Sequence, residues 1–101
     1  MAHYCTHTLI LPDESRLDDM VLEVAGSVVA YYPFTGELHS TIYVNNPVLL
    51  SHRLDLEGKT VALTQLAWVL AGEDSDTLLY AYELTPCPLC VENRYLMRKL
   101  Q

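Results

Sequence analysis

The chain is punctuated. Short runs rich in Val, Ile, Thr and Tyr are separated at close intervals by Pro, Gly, Asn and Asp. β-branched and aromatic residues suit a pleated, half-buried strand, and the breakers supply turn chemistry, so this rhythm predicts a predominantly β chain. Residues Tyr4 to Leu11 alternate with a period of two, placing Tyr4, Thr6, Thr8 and Ile10 on one face and Cys5, His7, Leu9 and Leu11 on the other. Pro12-Asp13-Glu14-Ser15 ends that strand. Met20 to Val24 and Val28 to Tyr32, joined through Gly26, read as a hairpin, and Ser40 to Val44 and Val48 to Leu50 read as two further strands.

The segment Thr60 to Ala71 fits two descriptions. Leu63, Leu66, Ala67 and Leu70 form a helical stripe closed by Gly72, yet an all-apolar strand has the same composition. The β-rich neighbour Thr77 to Leu84, across the polar turn Glu73-Asp74-Ser75-Asp76, favours a strand and a hairpin. Pro86 and Pro88 stop the last strand, and Val91 to Leu100 carries helix-compatible residues. The expected fold is a small antiparallel β-sandwich or partly open barrel with a short C-terminal helix. It forms one domain over residues 1–101, strand-rich from 4 to 84, with a Cys-x-x-Cys turn and helix at 86–100.

A length of 101 residues suits one hydrophobic core, and a chain that is 50% hydrophobic has the side chains to fill it. Thirteen acidic against six basic residues give a net charge of −7, which repels phosphate backbones and argues against a nucleic-acid partner. The basic residues Arg94, Arg98 and Lys99 suit the C-terminal end of the expected helix. No apolar run reaches the roughly 18 residues of a spanning helix, and Met1-Ala2-His3-Tyr4 lacks the pattern of a secretory signal, so a cytoplasmic protein without membrane association is expected. Three cysteines are an odd number, and a reducing compartment keeps them as thiols.

Cys87-Pro88-Leu89-Cys90 has the spacing with which two thiolates hold one side of a tetrahedral zinc ion. Cys5 and His7, two residues apart on one strand face, are candidates for the other side, with His3 as a third option. Such a site requires the first strand to lie beside the C-terminal turn. The competing reading makes Cys5 a small buried hydrophobe beside Leu9 and Leu11. A thioredoxin-type redox motif is disfavoured because only 11 residues follow Cys90.

Glu37 with His39, and His52 with Arg53 and Asp55, are read as polar loop residues. Tyr31, Tyr32 and Phe34 around Pro33 either cover a small β core or anchor a partner. The chain has no Gly-x-Ser-x-Gly elbow, phosphate loop or His-Glu-x-x-His helix.

Thr8-Leu9-Ile10-Leu11-Pro12-Asp13, Asp19 to Val24 and Gly26 to Tyr31 together resemble the small β-sandwich that flanks the barrel of amidohydrolase-type metal-dependent hydrolases. The resemblance spans Thr8 to Thr41. It implies a freestanding accessory domain without the catalytic barrel or its His-x-His motif, so no catalytic residue carries over. The expected function is therefore a non-catalytic binding or protein-interaction domain, pairing with another protein or with itself through an edge strand or apolar patch and needing no cofactor. The alternative is a metal- or thiol-dependent protein with structural zinc held by Cys5, His7, Cys87 and Cys90.

Overall fold

The computed structural model describes residues 1–36, 40–66, 78–87 and 93–101. Eight strands make up the described fold: β1 (Ala2–Ile10), β2 (Arg16–Ala25), β3 (Ser27–Pro33), β4 (Thr41–Val44), β5 (Val48–Ser51), β6 (Thr60–Ala62), β7 (Tyr80–Pro86) and β8 (Arg94–Lys99), with one 3-10 turn at Leu63–Gln65. They form a single open sheet in the order β3-β2-β1-β5-β7-β8-β6, with β4 also paired to β1. The expectation of a mostly β chain holds. Among the described residues no helix is long and apolar enough to cross a membrane.

Local chemistry sets the first three strands. Asp13 Oδ1 accepts from the Ser15 N–H, Leu11 N–H donates to Ser15 O, and Glu14 sits at φ 69°, so the chain reverses into β2 within a few residues. Gly26, at φ 78°, lies alone between Ala25 and Ser27, which pair across the β2–β3 turn. A left-handed backbone conformation at that point suits glycine.

The sheet is mixed, where an antiparallel one was expected. β4 runs parallel to β1 with His3 opposite Thr41, and β5 runs parallel to β1 with Leu9 opposite Val48. The two short strands are successive halves of one strand laid along the same side of β1, broken at Asn45–Pro47. Polar bonds seat the break: Thr6 Oγ1 donates to Asn46 O at 3.1 Å, and Leu84 N–H donates to Pro47 O.

Two apolar clusters occupy opposite faces. Ile10, Leu49, Tyr80, Tyr82, Leu84 and Met97 belong to one, with Leu56, Val61 and Leu66 packed over them. Leu9, Met20, Leu22, Val24, Val48, Leu50 and Leu100 belong to the other. Burial on both faces explains why Val48-Leu49-Leu50 is a continuous apolar run without alternation. The sheet curls around the second cluster, and the Val28 N–H reaches Leu79 O at 2.7 Å just before β7.

The alternation read from β1 breaks at its middle. Leu9 and Leu17 lie on the side of Tyr4, Met20 and Leu22, although an unbroken period of two would put them on the opposite face. Thr6 stands at the exchange. Its Oγ1 accepts from the Thr8 N–H at 3.3 Å, a local alternative to the ladder, and its one hydrogen is shared between Thr8 O and Asn46 O. Asp19, across from His7, takes φ 52°. Because β1 and β2 turn over together, the pairing stays in register, with Thr6 opposite Met20 and Thr8 opposite Asp18.

Two sequence expectations are corrected. The expected C-terminal helix is a strand: Arg94–Lys99 pairs antiparallel with β7, Leu96 opposite Thr85 and Met97 opposite Leu84. Helix-compatible composition is a weak preference over so short a segment, and burying Met97 between two strands outweighs it. Arg94, Arg98 and Lys99 accordingly bind Thr60, Glu83 and the Gly26 carbonyl across strands, not at a helix end. The second correction concerns 60–71. Among the described residues of that segment the strand is Thr60–Ala62, which pairs with β8 and not β7, and 67–77 lie outside the described residues.

Candidate functional site

The strand register assembles a face that the chain order does not announce. Across β4, β1, β2 and β3, Tyr43 is opposite Cys5, Cys5 opposite Val21, and Val21 opposite Tyr32. One row thus reads Tyr43-Cys5-Val21-Tyr32. Val21 and Cys5 are 1% and 5% exposed, whereas Tyr32 and Tyr43 are 40% and 59% exposed. The row is therefore an apolar floor that is itself covered from solvent, with an accessible aromatic ring at either end.

Histidine–carboxylate pairs border this row on both sides. His3 Nε2 lies 3.8 Å from Glu23 Oε2, and His7 Nδ1 lies 2.8 Å from Asp19 Oδ1. Both pairs bridge β1 and β2, and Phe34 N–H donates to Asp19 O, continuing the β3 edge. Burial pushes the Cys5 thiol up from its ordinary range, and the nearby Asp19 charge pushes it further in the same direction. That is the condition of an inert, packed thiol, not of a nucleophile.

The residues singled out for zinc are therefore distributed as follows. Cys5 is buried in the floor. His7 is exposed and paired with Asp19. Cys87, half-buried, follows β7 and donates its N–H to Arg94 O at 3.0 Å, closing the base of the β7–β8 hairpin. Cys90 lies outside the described residues, as do Glu37 and His39. Among the described residues no three His, Cys, Asp or Glu side chains are grouped to hold a metal ion.

The two ends of the described chain do meet, but through other atoms. Tyr4 Oη donates to Gln101 O at 2.7 Å, and Leu100 N–H donates to Ala81 O. This contact is on the Leu22 side of the sheet, opposite Cys5. Nearby, an open cleft of about 390 Å3 is bordered by Tyr4, Ile42, Glu57, Arg98 and Lys99. Its cations are already engaged, Arg98 by Glu83, and Lys99 by the Gly26 carbonyl and the Tyr80 ring. His52 likewise has a structural partner, its Nδ1 lying 2.8 Å from Leu78 O.

Sequence reading missed Asp19, Glu23 and Tyr43 as neighbours of Cys5. The missing signal was hairpin register: with the Leu11–Ser15 turn fixed, Ile10 opposite Arg16 places His7 across from Asp19 and His3 across from Glu23. Comparison with protein-family models, curated proteins and solved structures found no match.

Proposed function

We propose that this chain is a non-catalytic protein-interaction domain of the cytoplasm. The carrying observation is the exposure of large apolar side chains on the two strands that flank the β2–β1 pair: Val29, Tyr31 and Tyr32 on β3, and Ile42 and Tyr43 on β4. A −7 chain has charge enough for solubility, and exposed aromatic groups of this kind are enriched at binding surfaces. Side-chain docking is favoured over strand addition at β3. That strand carries Pro33, a register shift beside Val24, and a Val28 N–H already given to Leu79, all features that blunt edge pairing. The resemblance of Thr8 to Thr41 to an accessory β domain of metal-dependent hydrolases agrees with a supporting role.

The test is a displayed-peptide selection on the intact protein, counter-selected on Tyr32→Ser/Tyr43→Ser. Enrichment of peptides that bind the parent and not the variant is expected. A selection yielding no binder, or binders indifferent to both tyrosines, overturns the reading.

A second reading rests on Cys87. It precedes Cys90 by three positions in the sequence, the Cys-x-x-Cys spacing with which two thiolates hold one side of a zinc ion. Cys5 and His7 are then the partners to test. Elemental analysis of protein purified without chelator, repeated on Cys87→Ser, decides it. Zinc that disappears in the variant supports the site, and a metal-free parent whose thermal stability ignores EDTA ends it.

A further inference from the structure

We draw no further inference here: the strongest candidate, the open cleft between β4 and the end of β8 bordered by Tyr4, Ile42, Glu57, Arg98 and Lys99, carries nothing, because its two cations are already held by Glu83 and the Gly26 carbonyl and nothing in the structure shows what fills it.

Discussion

Arg98 on β8 donates from Nη2 to Oε1 of Glu83 on β7 at 2.8 Å, and Glu83 is 8% exposed while the arginine side chain is largely in solvent. The other carboxylate oxygen accepts from Asn46 Nδ2 at 2.9 Å, so one buried acid ties β8 to the break between β4 and β5. Removing the arginine leaves a buried carboxylate with one remaining donor. Arg98→Ala is expected to lose about 2 kcal/mol in urea unfolding at neutral pH, more than an exposed ion pair is worth. A loss below about 0.5 kcal/mol would show that water replaces the guanidinium freely.

Asp55 offers a titration test. The Arg53 hydrogen bond, assisted by Lys59, holds its carboxyl well below the usual carboxylate range. A carboxyl depressed in the folded state contributes stability above its unfolded pKa, and loses it as pH falls through the folded one. Carbon-detected NMR should find Asp55 still ionised at about pH 3, and Arg53→Ala should return its midpoint towards the ordinary carboxylate range. An unchanged midpoint in the variant would assign the depression to something else.

Thiol reactivity separates Cys5 from the other cysteines. Burial and the Asp19 charge both disfavour its thiolate, so in Cys87→Ser/Cys90→Ser the remaining thiol should react with a disulfide reagent roughly 100-fold more slowly in the folded than in the unfolded protein. Equal rates would mean that the floor between the two tyrosines opens readily.

Leu100 is 4% exposed and belongs to the cluster of Leu9, Leu22 and Val48. Leu100→Ala should cost about 2 to 3 kcal/mol by thermal or urea unfolding. Tyr4→Phe, which loses only the bond to Gln101 O, should cost about 1 kcal/mol or less. A Leu100 variant as stable as the parent would show that this position is not held in the core.

Strand composition was readable wherever turn chemistry and β-branched residues agreed, as at Gly26 between Val24 and Val28. It failed where partners distant in sequence decide. Met97 and its neighbours look helical until β7 is placed beside them, and Thr60–Ala62 shows nothing in its composition that assigns it to β8. The exchange of faces in β1 was invisible because it lies in the local backbone around Thr6, Thr8 and Asp19, which composition does not report. Cys5 and His7 were correctly placed together on one strand, yet their surroundings come from β2 and β4, and only the register supplies those.

The parallel placement of β4 and β5 along β1 has a consequence for how the chain acquires its shape. β2 can pair with β1 as soon as a few turn residues are made, but the other side of β1 waits for partners about forty positions further along. Until then a strand destined for the middle of the sheet has an open backbone edge, and loop closure of that length must precede any reward. Folding should accordingly be limited by that late capture, and nascent or refolding chains should be most prone to associate with one another in the interval before residues 41–51 arrive.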